Sequence, residues 1–290
     1  MTSVVTRLGT NFSRIIQQIN CKQTVLSPNK TTVFIPGGFP YEAFNPRACI
    51  TPWSLIKMVE CARGASFSAN FLNAQELYKN YFIFIVSTST AVSPDLYDLS
   101  VTKGPLVQDV TLDYVGNTSF KLTTVMSIEG MKNPICENQT QSVFVNINTR
   151  KPAPPPEWWT QKYSLGLNNK EPLKLVHPEP PSGEMIQKIH LEVPASDVDP
   201  YLHVNWSNYI KYFYESYIQY ELRKKSLKDA NHLFRNIKNF SVSYIHESNI
   251  GDKLSIKLWE DINSQNCYHF QMLKGQKVVN ESSIEFFPVV

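Results

Sequence analysis

The chain has 290 residues, 42% hydrophobic and 18% charged, which suits one large or two ordinary folded domains and excludes wholesale disorder. Its 28 basic and 25 acidic residues nearly cancel at +3, and the densest basic run, Arg223-Lys224-Lys225, reads as the solvated end of a helix, so no nucleic-acid partner is expected. No two of the 11 glycines are separated by exactly one or exactly four residues, which excludes G-x-G-x-x-G and G-x-x-x-x-G-K-[ST] phosphate loops, and the longest apolar run, residues 81 to 86, is too short to span a bilayer.

In chain order, the first segment is basic and amphipathic. No acidic residue precedes Glu42, while Arg7, Arg14, Lys22 and Lys30 are present, and Val4, Leu8, Phe12, Ile15 and Ile19 share one helical face. Two readings of residues 1–30 stay open: an organelle presequence, giving a mitochondrial or other organellar protein, or an ordinary first helix of a cytoplasmic one. No secretory signal core is visible, so N-x-[ST] triplets such as Asn117-Thr118-Ser119 read as chance matches, and an intracellular protein is expected.

Val33 to Ile35 reads as a short strand, residues 36–51 as a loop, and Pro52 as the first residue of a helix carrying Leu55, Met58, Val59 and Ala62. Strands follow at 81–88, 107–114, 119–128 and 141–148, the last with Val143, Val145 and Ile147 expected inward. Eight of the 19 prolines then fall between Pro152 and Pro181, which reads as a semi-rigid linker over 152–183.

Beyond the linker the order of elements repeats. Residues 185–193 read as a strand, 195–203 as a polar loop, and Trp206, Tyr209, Ile210, Phe213, Tyr217 and Tyr220 mark a helix with Asn205 as its N-cap. Period-two strands follow at Val242/Tyr244, Leu254/Ile256/Leu258, Tyr268/Phe270/Met272 and 283–289, with a turn at Gly251-Asp252. The two expected helix starts are about 150 residues apart, a domain-sized period. The fold class is therefore α+β, with one unit, 31–151, duplicated as a second, 184–290.

The six histidines and five cysteines form no H-E-x-x-H and no C-x-x-C, and the one close pair, Cys267 with His269, has no nearby partner, so no metal site is expected. No G-x-S-x-G elbow appears. An odd number of scattered cysteines reads as reduced, buried thiols.

A strand, a long central helix and a curled antiparallel sheet resemble the hotdog fold, and the junction before the second helix makes the resemblance specific. Ser196-Asp197-Val198-Asp199-Pro200-Tyr201-Leu202-His203-Val204-Asn205, followed by Tyr209 and Glu215, is similar to the D-x-D-x-x-x-H-V-N…Y…E signature of 4-hydroxybenzoyl-CoA thioesterase-like and plant acyl-ACP thioesterases. Residues 115–120, 148–152 and Tyr244-Ile245-His246-Glu247-Ser248 with Gly251-Asp252 resemble further segments of that family, so the chain from about residue 31 onward looks like a tandem double hotdog. It departs from the plant pattern at Tyr201, Trp206 and Ser248. The matching junction of the first half, Asn45-Pro46-Arg47-Ala48-Cys49-Ile50-Thr51, has neither Asp nor H-V-N, so that half is expected to be non-catalytic.

The resemblance implies an acyl-CoA or acyl-carrier-protein thioester substrate, no cofactor, and room for a homodimer of double hotdogs. Thioester hydrolysis needs a base or nucleophile, donors for the developing oxyanion and an apolar slot for the acyl chain. Asp199 is the candidate base or nucleophile. His203, Asn205 and Glu247 are the supporting candidates, Asn205 also as a helix cap, and Asp197 reads as a turn residue. The backbone amides of Val204, Asn205 and Trp206, at the start of a helix, are candidate oxyanion donors. The alternative is a hotdog that binds an acyl, lipid or pigment ligand without cleaving it, which the aromatic departures at Tyr201 and Trp206 would suit.

Overall fold

The computed structural model describes every residue except 1–13, 168–170, 182–186, 201, 225–232, 265 and 289–290. Most of the candidate presequence helix, the start of the strand expected at 185, Lys225 and Tyr201 therefore lie outside the described residues. No described helix is long and apolar enough to cross a membrane. The chain forms two compact units. Unit 1 takes in the described residues up to Phe39, then Met58–Thr90 and Thr102–Lys174; unit 2 takes in Pro40–Lys57, Ala91–Val101 and Leu175 onward.

Unit 1 contains β1 (Lys22–Ser27), β2 (Lys30–Ile35), β3 (Tyr81–Val92), β4 (Leu106–Val115), β5 (Ser119–Ile128) and β6 (Cys136–Asn146), in the sheet order β1-β2-β4-β5-β6-β3. The pairs β2–β4, β4–β5 and β5–β6 are antiparallel, and short connections join β4 to β5 and β5 to β6. The long helix α1 runs from Pro52 to Ser68 as Pro52 foretells, its missing N–H costing nothing in a first turn. Leu55, Ile56, Val59, Ala62 and Ala65 are all buried, so α1 has the nearly all-round apolar burial of a helix enclosed by other elements.

The inward face of β6 differs from expectation. Val145 is buried as expected, but Ser142 and Phe144 are fully buried while Val143 and Ile147 are half-buried. Both faces of this strand carry apolar residues, and Phe144 decides the register by packing 5.0 Å from Phe120 and 5.1 Å from Trp159, ring to ring. Trp159 comes from α2 (Glu157–Ser164), a helix inside the proline-rich stretch read as a linker. Its ring is fully buried and its Nε1–H donates to the Leu72 carbonyl at 2.7 Å, so this part of the stretch belongs to the core of unit 1.

Unit 2 is built as the repeat predicts. β7 (Gln187–Glu192) leads through a polar loop into α3 (Tyr209–Lys224), then β8 (Ile237–Tyr244), β9 (Lys253–Glu260), β10 (Cys267–Lys274) and β11 (Lys277–Phe286). Their order is β8-β11-β10-β9-β7, and every neighbour is antiparallel. Period two on β10 turns Tyr268, Phe270 and Met272 toward α3 and Cys267, His269 and Gln271 to the opposite face. Phe213 meets Phe270 at 5.4 Å, and Tyr217 meets Phe286 at 4.4 Å and Tyr268 at 5.0 Å. Each such ring taken from water is worth roughly 1.5–3 kcal/mol, which is what holds the sheet curled on the helix.

Candidate active site

The loop before α3 is fixed at its start by Asp197. Asp197, read as a turn residue, ends a short 3-10 turn, Ala195–Asp197; it is only 3% exposed, and its carboxylate accepts from the Lys211 ammonium on α3 at 3.0 and 3.1 Å. Its carbonyl accepts from the Asn205 amide at 2.9 Å and from Asn208 Nδ2 at 3.0 Å. The chain then makes a tight turn: Val198 bridges Val204, the Asp199 N–H donates to the His203 carbonyl at 2.8 Å, and the Leu202 N–H donates to the Asp199 carbonyl at 2.9 Å. Leu202 sits at φ 65°, left-handed backbone that a non-glycine residue adopts only when the surroundings hold it there. The far side of the turn is stitched to the segment after β8, His203 bridging Asn249 and the Val204 N–H donating to the Ser248 carbonyl at 2.8 Å.

This stitching brings two of the predicted residues, His203 and Glu247, together. His203 Nε2 lies 3.4 Å from Glu247 Oε2, with the imidazole a quarter exposed and the carboxylate half exposed. Beneath them Tyr209, the first residue of α3, is buried, and its hydroxyl accepts from the Ser248 N–H at 3.2 Å. Burial pushes the Tyr209 phenol above its ordinary value, hydrogen bonding to Ser248 pulls the other way, and the carboxylates of Glu247 and Asp199 push it further up. Asp199 and Glu247 therefore both lie within electrostatic reach of one buried hydroxyl. Sequence reasoning placed Tyr209 on the helix and in a signature; its bond to Ser248, 39 residues away, is one that no local pattern encodes. Glu215, the last member of that signature, is held above its usual range by burial, opposed by Lys211.

Asn205 is a helix cap. Its Oδ1 accepts from the Ser207 N–H at 2.8 Å and the Ser207 hydroxyl at 2.6 Å, opening a short 3-10 turn, Trp206–Asn208, that runs into α3. The expectation of oxyanion donors at Val204 and Asn205 is corrected: these amides already donate to the Ser248 and Asp197 carbonyls. Both residues precede the capped turn, where the bridged loop takes up their amides. At Trp206 the carbonyl accepts from the Tyr244 hydroxyl at 3.1 Å. The expectation that Cys267 and His269 lack a neighbour is also corrected, because Asp261 joins them.

No family model matches the sequence, and no curated protein matches it either. Solved structures do. A provisionally assigned oleoyl thioesterase from Lactobacillus plantarum superposes with a TM-score of 0.71 at 11% identity, over 93% of this chain and 98% of its own. The 12:0-ACP thioesterase of Umbellularia californica gives 0.66 at 16% identity over 91% and 99% of the two chains. An acyl-ACP thioesterase from Bacteroides thetaiotaomicron gives 0.61 at 18% over 93% and 98%. With a helix-and-curled-sheet pattern twice in the chain and near-complete coverage of both partners, this protein has the tandem hotdog fold, which it shares with these acyl thioesterases.

Proposed function

We propose that the protein hydrolyses an acyl thioester of coenzyme A or acyl-carrier protein to the free acid and thiol, with the chemistry in unit 2 and the first hotdog non-catalytic. The observation that carries this reading is the bridged turn that bears Asp199 and sets His203 3.4 Å from Glu247, with Asp199 and Glu247 both in electrostatic reach of the buried Tyr209 hydroxyl. Such a set has what hydrolysis needs: a carboxylate for the nucleophilic step and an imidazole oriented by a second carboxylate.

In this mechanism Asp199 takes a proton from water as the water oxygen attacks the thioester carbonyl, or attacks directly and is released by water in a second step. Glu247 holds His203 through Nε2. When protonated, the imidazole donates from both nitrogens, one to Glu247 and the other to the developing oxyanion. The C–S bond then breaks and the thiolate leaves with a proton. Asn205 acts through the helix it caps, and Asp197 and Lys211 fix the turn that carries Asp199.

The test is thiol release from acyl-CoA substrates of graded chain length, beside mass spectrometry of co-purifying ligands. Asp199→Asn is expected to lower kcat by about 100-fold or more with the fold retained. A stoichiometric bound ligand with no thiol release would instead support a non-cleaving acyl-binding hotdog.

A further inference from the structure

The face of the unit 2 sheet turned away from α3 carries a second cluster of reactive side chains. Asp261 and Cys267 close the loop between β9 and β10, the Asp261 N–H donating to the Cys267 carbonyl at 2.9 Å. His269 stands two residues beyond Cys267 on the same strand and so on the same face. Sγ of Cys267, a ring nitrogen of His269 and a carboxylate oxygen of Asp261 all lie within 4.8 Å of one another. His269 Nε2 and Asp261 Oδ2 are already 2.7 Å apart.

The surroundings orient these groups as metal ligands are usually oriented. Asp261 Oδ1 is held by the amides of Asn263 and Ser264 at 2.7 and 2.9 Å, which leaves Oδ2 directed at the imidazole. His269 Nδ1 lies 2.8 Å from the Ser283 hydroxyl, directly across on β11. With the proton on Nδ1 donated to Ser283, Nε2 presents its lone pair on the side of Asp261 and Cys267, the outer-sphere arrangement that fixes a ligating histidine. The imidazole is 5% exposed, whereas Asp261 and Cys267 are half-buried, so an ion could enter from their side and keep one position for water.

We propose that Asp261, Cys267 and His269 form a binding site for a transition-metal dication of the zinc class, separate from the thioester site. A thiolate, an imidazole and a carboxylate are the donor set that zinc takes, and hard magnesium or calcium would not choose a sulfur ligand. Binding replaces the Asp261–His269 hydrogen bond by two bonds to the ion: the proton of that bond passes from Nε2 through solvent to Nδ1, and the Cys267 thiol proton is released to solvent. No electron is transferred. The site sits at the loop end of the β9–β10 hairpin and would pin that loop to β10.

The test uses the full chain, stripped with a chelator and kept under a thiol-free reductant, and titrated with cobalt(II) and then zinc. One equivalent of cobalt is expected to give thiolate-to-metal charge-transfer absorption, displaced by one equivalent of zinc. Trp259, whose ring lies 5.9 Å from His269, is expected to lose fluorescence as cobalt binds. Cys267→Ser should abolish the absorption, while Cys61→Ser should leave it. Asp261→Asn, whose amide can still cap the loop, should weaken zinc binding at least about tenfold. Circular dichroism of each variant separates loss of ligand from loss of fold. No absorption with one equivalent of cobalt, or absorption that survives Cys267→Ser, would overturn the site.

Discussion

The turns that enter the two long helices close through the same hydrogen bonds and carry different side chains. Phe44 bridges Ile50 as Val198 bridges Val204. The Asn45 N–H donates to the Cys49 carbonyl at 2.8 Å, as Asp199 does to His203 at 2.8 Å; Ala48 donates to Asn45 at 2.9 Å, as Leu202 does to Asp199 at 2.9 Å. Thr51 donates to Ala43 at 2.8 Å, as Asn205 does to Asp197 at 2.9 Å, and Ala48 and Leu202 share left-handed backbone at φ 58° and 65°. Position by position, Asn45 therefore stands for Asp199, Cys49 for His203 and Ala43 for Asp197. The turn is a scaffold that survives without its acidic and imidazole groups. In the first copy the Asn45 side chain folds back to accept the amides of Arg47 and Cys49 at 2.9 and 3.1 Å, making it part of the turn itself.

That comparison can be broken or sharpened by stability and activity measurements. The largest stability effect is expected from the core between α3 and its sheet. Phe213→Ala, in the fully buried ring beneath α3, should lower unfolding free energy by about 3–5 kcal/mol in denaturant titration. Next comes Asp197→Ala, which copies the alanine of the first turn but strands the Lys211 ammonium; a loss of about 1.5–3 kcal/mol is expected, and Lys211→Met in the same chain should recover part of it. If Asp197→Ala costs nothing, the ion pair does not hold the second turn and the two turns differ in side chains alone.

Smaller again is the cap. Asn205→Ala should cost about 1 kcal/mol and Asn205→Ser much less, with thiol release retained in the serine variant because a hydroxyl still caps. Loss of activity in a stable Asn205→Ser variant would return Asn205 to the chemistry. The smallest effect is a pH dependence on the unit 2 sheet. The Lys238 ammonium, through its hydrogen bond, holds Glu285 below the usual carboxylate range, with burial opposing and Asn239 assisting. A depressed folded value adds stability that is present above the ordinary glutamate range and disappears as pH falls through the folded value. Removing the charge with Glu285→Gln should flatten that acid limb by less than about 1 kcal/mol.

Much of this architecture can be read from residue spacing. Pro52 marks the start of α1, residues 119–128 read as a strand with the bounds that β5 has, and residues 195–203 read as the polar loop before α3. What spacing misses has a common cause, which is contact across the chain. Phe144 rather than Val143 faces the core because Phe120 and Trp159 are there to receive it. The amides of Val204 and Asn205 look available in a one-dimensional reading, yet Ser248 and Asp197 accept from them. Cys267 and His269 look isolated until a hairpin brings back Asp261, six positions upstream of the cysteine; a D-x5-C-x-H spacing astride a loop is the signal that could have found it.

The central claim is that the shared scaffold is active only where Asp199 stands on it. Its most direct test is single-turnover thiol release by Asp199→Asn, Asn45→Asp and the double variant, each shown to be folded. The account predicts that Asp199→Asn loses about 100-fold or more, that Asn45→Asp matches the parent protein, and that the double variant stays as slow as Asp199→Asn. Unchanged turnover in Asp199→Asn, or recovery in the double variant, would contradict it.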